Sequence, residues 1–302
     1  MEYSSNIFLS ILIPVFRTDI SDLLHDLLQE LNQSSCRFEI LVLDDSADEQ
    51  YFGWHAAFKR NEQLRILSFT VNKGRSACRN TLMSEAAGSH WLFLDGDMGL
   101  AKGFIRNYLQ AITAQPEVVL VGGVKYNAHQ TGLRTKIGIQ REQSSAVERQ
   151  KRPYSSFTAA NLVLPMLKLG KIRFDERISS YGHEDTVFGL ALLEANIPIL
   201  HIDNPATHLG LDDDETYLQK IETGLETLAG LWLNNDLIEK YSKEVKLLHY
   251  WHKTRKTGLL EFVSNTTALR ILRSVAKKGL FWLDLYKLAY LNKEIQRQKI
   301  NL

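Results

Sequence analysis

The sequence is short of cysteine, nearly free of net charge, and without an apolar run long enough to span a bilayer. Each shortage excludes something. The two cysteines, Cys36 and Cys78, form no C-x-x-C pair and no Cys/His cluster of zinc spacing. That argues against a structural zinc module and for a reducing, cytoplasmic compartment. A formal net charge of +1 over 302 residues removes any bulk attraction to nucleic acid. The start, Met1 to Phe16, lacks the basic region and small-residue cleavage site of a secretory leader, so none is expected. Its apolar run, Ile7 to Phe16, is too short to cross a membrane and suits a buried strand. No G-x-G-x-x-G follows a strand, which excludes the usual dinucleotide-dependent oxidoreductase.

What is present is a globular composition, 44% hydrophobic and 24% charged, in a repeating order. Phe8 to Val15, Phe38 to Leu43, Leu64 to Val71, His90 to Leu94 and Val118 to Val121 read as strands. Ile20 to Leu31, the segment from Asn72 to about Ala87, and Gly103 to Ala114 read as helices. Such alternation predicts an α/β fold with a mostly parallel sheet between helices. Polar residues gather just after the strand ends, at Asp44, Asp45, Asn72, Arg75, Asp95 and Asp97, where open parallel sheets bind ligands. Lys125 to Tyr154 is polar, basic and aperiodic. It reads as a long functional or mobile loop that closes over a donor or meets a phosphate-bearing acceptor. Phe157 to Leu164 and Ile197 to Ile202 resume the strand pattern, Glu184 to Glu194 is helical, and helices continue from about Asp214 to the end.

Several clusters carry possible chemistry. Asp95-Gly96-Asp97 follows a hydrophobic strand and can present two carboxylates to one magnesium or manganese ion beside a diphosphate; it is also ordinary turn chemistry. Asp44-Asp45-Ser46 could accept hydrogen bonds from a base or ribose, or simply cap a helix. Arg75 and Arg79 share a helix face near its N-terminus, which suits an anionic or planar ligand, or ion pairs. Glu184 and Asp185 open a helix whose dipole favours their ionised forms, leaving Asp185 charged as a base. His208 could complete the coordination of a transition ion and tilt the choice toward manganese, with His201 as a competitor.

Together, Ser10 to Phe16, Leu41 to Ser46, Asn72 to Gly74 with Arg79-Asn80, and Leu94 to Asp97 resemble the ordered signature of family 2 glycosyltransferases of the GT-A fold. Asn161 to Leu164, Phe174 to Glu176 and Gly182 to Asp185 are similar to the acceptor-side region of the galactosyltransferase and chondroitin-polymerase type. The resemblance implies a GT-A catalytic domain over residues 1–212, with a nucleotide-sugar half at 1–124 and an acceptor-side half at 125–212. A helical region at 213–302 follows. It implies a donor pocket of Pro14, Val15, Phe16, Asp44 or Asp45, Arg75, Asp95 and Gly96. It implies a Mn2+ or Mg2+ ion held by Asp97, Asp95 and His208. Asp185 would be the base of an inverting single displacement from a nucleotide-sugar donor, UDP-linked by resemblance. Glu184, His183, Tyr181 and Asn161 would bind a glycan or lipid-linked acceptor. His183 departs from the family, which has a small residue or tryptophan there. No Q-x-x-R-W motif is present, against a processive membrane-embedded synthase.

The tail concentrates charge. Residues 268–299 hold eight basic and two acidic residues, +6, leaving −5 for the rest of a chain whose total is +1. With Leu280-Phe281-Trp282-Leu283 beside it, the tail is expected to contact an anionic inner leaflet, to pack on the catalytic domain, or to form a homodimer. Two rivals stand beside the transferase: a sugar nucleotidyltransferase, which lacks its glycine-rich loop here, and a non-catalytic scaffold of the same fold.

Overall fold

The computed structural model describes residues 8–300; the expected absence of a leader concerns a start that lies partly outside them. In chain order the elements are β1 (Phe8–Val15), α1 (Ser21–Asn32), β2 (Arg37–Asp44), α2 (His55–Phe58), β3 (Leu64–Ser68), α3 (Gly74–Glu85), β4 (His90–Leu94), β5 (Met98–Gly99) and α4 (Phe104–Ala114). There follow β6 (Val119–Val121), β7 (Val124–Tyr126), α5 (Leu133–Ile137), a π turn (Gly138–Glu142), α6 (Ala146–Gln150), β8 (Asn161–Pro165), α7 (Met166–Leu169), α8 (Glu184–Glu194), β9 (Ile199–His201) and β10 (Ala206–His208). The chain ends in α9 (Asp214–Asn234), α10 (Asp236–Lys240), α11 (Lys246–Thr254), α12 (Gly258–Val263), α13 (Thr266–Ala276) and α14 (Leu280–Ile300).

The main sheet has the order β3-β2-β1-β4-β8-β6-β9. It is mostly parallel; β8 alone runs antiparallel, to both β4 and β6. β1 is apolar nearly throughout because it lies inside the sheet, with Ile11 opposite Ile40 on one side and Leu92 on the other. Its alternate residues feed two cores. Leu9, Ile11, Ile13 and Val15 face α1 and α4, and Leu12 joins Cys78, Leu82, Phe188 and Leu192 from α3 and α8. Leu24, Leu27 and Leu31 of α1 are fully buried, and each such side chain contributes about 2 kcal/mol.

The parallel strands end on one edge, so the carboxylates after β2 and β4 emerge side by side. A small second sheet, β5-β10-β7, completes that edge. It pairs His208 with Met98 and with Tyr126, which sets the imidazole beside Asp97 and stacks it on the tyrosine ring at 5.6 Å.

One expectation is corrected. The stretch from Lys125 to Tyr154 is folded rather than a structureless loop. Leu133 and Ile137 are buried against Tyr217, Leu218, Leu269 and Tyr286, and Arg134 grips Glu142 at 2.7 Å. Those apolar anchors are too few and too widely spaced to show as periodicity. The tail packs on α9: Leu269, Leu272, Ala276 and Leu283 are buried, and Arg273 pairs with Glu222 at 2.6 Å and with Glu215 at 2.5 Å. Among the described residues no helix is long and apolar enough to cross a membrane.

Candidate active site

Asp45 shows how the ligand edge of the sheet is built. Its two carboxylate oxygens accept the backbone N–H groups of Lys73 at 2.7 Å and Gly74 at 2.8 Å, fixing the turn into α3. Gly74 sits at φ +83°, a left-handed conformation that disfavours a side chain. Asp45 lines a cavity of about 550 Å³ with Pro14, Val15, Phe16, Arg75 and Gly96. Asp44 does not. It points to the other side of β2, fully buried, and accepts from Ser46 N at 2.9 Å while meeting His55 Nε2 at 3.0 Å. Alternation along a strand sends neighbours to opposite faces, so only one of the two acids can face the cavity.

Beyond Asp95 and Asp97 this cavity opens into a second, of about 410 Å³, lined by Asp185, Thr158, Tyr126, Arg134 and His208. Arg75, Asp95, Asp97, Tyr181 and Lys220 border both. Glu184 and Asp185, consecutive at the start of α8, divide between them: Glu184 faces the first cavity and Asp185 the second.

Arg79 organises the junction. It is 1% exposed and reaches Asp95 at 3.0 Å and both Glu184 and Asp185 at 3.3 Å. The sequence leaves it between a ligand contact and ion pairs; its guanidinium is committed to three carboxylates. Arg75 stays half exposed, 3.6 Å from Glu184 and 5.1 Å from the ring of Tyr181.

The electrostatics separate the acids. Burial pushes the pKa of Asp95 up, but Arg79 and Arg75 outweigh it and hold the group below the ordinary range. Glu184 is lowered by the same pair against its own burial. Asp185 goes the other way, up to about 6, because burial, aided by Glu184, exceeds the pull of Arg79. The helix-dipole expectation for Asp185 is thus corrected: desolvation is the larger effect. Its Oδ2 accepts from Ala159 N at 2.9 Å, which aims the carboxylate into the cavity.

Asp97 and His208 form the far corner. Nε2 of His208 is 3.7 Å from Oδ2 of Asp97, and its buried Nδ1 has no hydrogen-bond partner among the described residues. Burial raises Asp97 and lowers His208. Asp95, Asp97, Glu184 and Asp185 gather at the junction with Arg75 and Arg79, and Arg134 and Lys220 lie beside them. The donors, carboxylate oxygens plus one imidazole, fit Mg2+ or Mn2+. Among the described residues no three potential ligands converge as a ready-made cage.

Two acceptor-side expectations are corrected. Asn161 is fully buried, accepting from Tyr108 Oη at 2.6 Å and donating to the carbonyls of Gly123 and Asn204 at 2.8 Å. It ties β8 to its neighbours and cannot reach a substrate. Asn161→Ala is expected to cost about 2–3 kcal/mol through the orphaned Tyr108 hydroxyl and two carbonyls, without changing nucleotide affinity. A denaturant melt with a nucleotide titration checks this. His183 turns from the cavity toward Thr186, 3.2 Å away, on a left-handed backbone at φ +69°. Burial lowers its pKa to about 4. Tyr126, Arg134 and Lys220 line the second cavity although no motif marks them; only the basic bias of Lys125 to Tyr154 hinted at the first two.

The sequence profile of glycosyl transferase family 2 matches residues 10–164, just over half of the chain. The chain belongs to that family. The match ends before Glu184, Asp185 and His208. No functionally curated protein matches the sequence. Solved structures share the fold. A mannosyltransferase from Pyrobaculum calidifontis, PcManGT, solved with GDP-Man and Mn2+, is 11% identical over 99% of this chain and 88% of its own, with a TM-score of 0.62. S. aureus TarS is 17% identical with a TM-score of 0.59, covering 98% of this chain and 54% of its own, so this chain spans about half its length. Its 1–349 segment in complex with UDP-GlcNAc is 16% identical, at 97% and 92% coverage, with a TM-score of 0.57. The galactosyltransferase and chondroitin-polymerase likeness finds no counterpart among these. The family-level activity is glycosyl transfer.

Proposed function

We propose that the chain is an inverting transferase that moves a hexose from a nucleoside diphosphate, UDP by preference, to a hydroxyl of a glycan or lipid-linked acceptor. One observation carries the reading. Glu184 and Asp185 face two cavities that meet at Asp95 and Asp97, so a donor in one would present its sugar beside the base of the other. The base lining Pro14 to Phe16, with Asp45 and Arg75, would receive the nucleoside. Asp95, Asp97 and His208 would hold the ion, which would neutralise charge on the departing diphosphate. Asp185 Oδ1 would take the proton of the acceptor hydroxyl as its oxygen bonds to the anomeric carbon. The bond to the diphosphate breaks on the opposite face, with inversion. A carboxylate of pKa about 6 is mostly ionised at neutral pH yet basic enough for that transfer. Exposed Phe281 and Trp282 on α14 support peripheral attachment at the inner face of a membrane.

Melting curves with UDP, GDP, CDP and dTDP, each with manganese and with EDTA, test the donor assignment. A nucleotide at a hundred times its Kd stabilises by about 2.7 kcal/mol, a rise of roughly 4 °C for a chain of this size. The expected result is a rise with UDP and manganese that EDTA removes. No rise with any nucleotide would refute the reading.

A further inference from the structure

A groove of about 360 Å³ runs between α11 and α14 and shares Arg141 with the acceptor-side cavity. Its walls are apolar, formed by Leu247, Tyr250, Phe281, Leu285 and Leu288. Phe281 is 70% exposed and Tyr250 50%, although each sits on a helix otherwise packed inward. The charged groups along it are Arg141, Lys246, Lys287 and Asp284. Asp284 is already taken by the guanidinium of Arg141, Nη1 to Oδ1 at 2.6 Å. Neither Lys246 nor Lys287 has an ion pair or hydrogen bond among the described residues. Burial lowers the pKa of Lys287 against the pull of Asp284, so its ammonium is held partly desolvated.

An apolar trough bordered by two ammonium groups that form no ion pair among the described residues complements one kind of molecule, a hydrocarbon chain with an anionic head. The volume is that of a small-molecule site and too small for a protein helix. We propose that this groove seats the phosphate and adjoining hydrocarbon of a lipid-phosphate-linked acceptor, whose sugar reaches Asp185 past Arg141. This rests on the transferase reading and adds the class of acceptor. Lys246 and Lys287 bind the phosphate oxygens. Phe281, Leu285 and Leu288 cover the first carbons of the chain. Arg141 is held to Asp284 at the passage between groove and cavity.

Titration of the full chain with decyl phosphate below its micellar threshold tests it, beside inorganic phosphate and decyl maltoside. Decyl phosphate is expected to bind at least about tenfold more tightly than either. The double variant Lys246→Gln with Lys287→Gln is expected to lose about tenfold in that affinity or more while keeping its nucleotide response. The exposed Lys246→Gln alone should lose part of it, which guards against a folding defect in the double variant. Equal affinity for decyl maltoside, equal affinity for inorganic phosphate, binding seen only with micelles, or unchanged binding by both variants would each overturn the proposal. If decyl phosphate binds as stated but no nucleotide shifts the melting curve, the lipid-phosphate site stands and its role as an acceptor site falls with the transferase reading.

Discussion

Asp185→Asn is expected to abolish turnover and raise the melting temperature of the same preparation. The two effects share one cause. The folded environment lifts this carboxyl from the ordinary 3.8 to about 6, so above pH 6 the protein holds an ionised group that its surroundings would rather keep neutral. A raised acid favours the folded state while protonated, and that advantage is lost as pH rises from about 4 through 6. The amide in Asp185→Asn is neutral like the protonated carboxyl: its oxygen can still accept from Ala159 N–H, and only the 3.3 Å contact that Oδ1 accepts from Arg79 is given up. The variant therefore escapes the loss. Linkage sets an upper bound of about 3 kcal/mol at pH 7.5. The side chain is 27% exposed, and solvent screening brings the gain to about 1–2 kcal/mol. Below pH 4 the two proteins should melt alike.

Turnover should fall by about 10²–10⁴, the usual contribution of a positioned base. In the wild type the rate should climb with pH through about 6, as Asp185 ionises, and level off above it. The measurements are donor consumption against pH for the wild type, and melting curves at pH 4, 6 and 7.5 for both proteins. Undiminished turnover would remove Asp185 from the chemistry. A variant less stable than the wild type at pH 7.5 would show that its charge is a structural asset.

Much of this arrangement was legible because local signals and tertiary demands agree. β1 reads as a buried strand from its apolar run, and burial on both faces of the sheet is why that run exists. Asp95 and Asp97 follow β4 by sequence, and the parallel topology carries them to the ligand edge. Other parts were illegible for specific reasons. Asp44 and Asp45 differ only in strand parity, and a one-residue ambiguity in where β2 ends reverses which acid faces the cavity. Asn161 looks polar and available, yet its partners lie 53, 38 and 43 residues away in sequence. The strands read as Leu64 to Val71 and Phe157 to Leu164 form their ladders only at Leu64–Ser68 and Asn161–Pro165, because ladder partners, not propensity, set the ends. Arg79 stays between a ligand contact and ion pairs in the sequence because helical spacing shows which face a residue shares but not what covers that face.

Arg79 is also where the second large effect is expected. Arg79→Met keeps much of the side-chain volume against Phe174, whose ring lies 5.2 Å from the guanidinium carbon, and removes only the charge and its donors. Asp95, Glu184 and Asp185 then face one another with no buried cation among them, a situation that costs about 3–5 kcal/mol. The pH dependence separates this cause from lost packing. Asp95 and Glu184 are held below the ordinary carboxylate range largely by Arg79, so the stabilisation it gives is complete above that range and is lost as pH falls through their lowered values. The gap between wild type and variant should therefore be widest near pH 7 and shrink toward pH 3. Denaturant melts at both values measure it. Arg79→Lys should fall between them, since one ammonium cannot span three carboxylates as a guanidinium does. A loss that stays constant with pH would mean that Arg79 acts through packing on Phe174, and the charge account of the junction would fail.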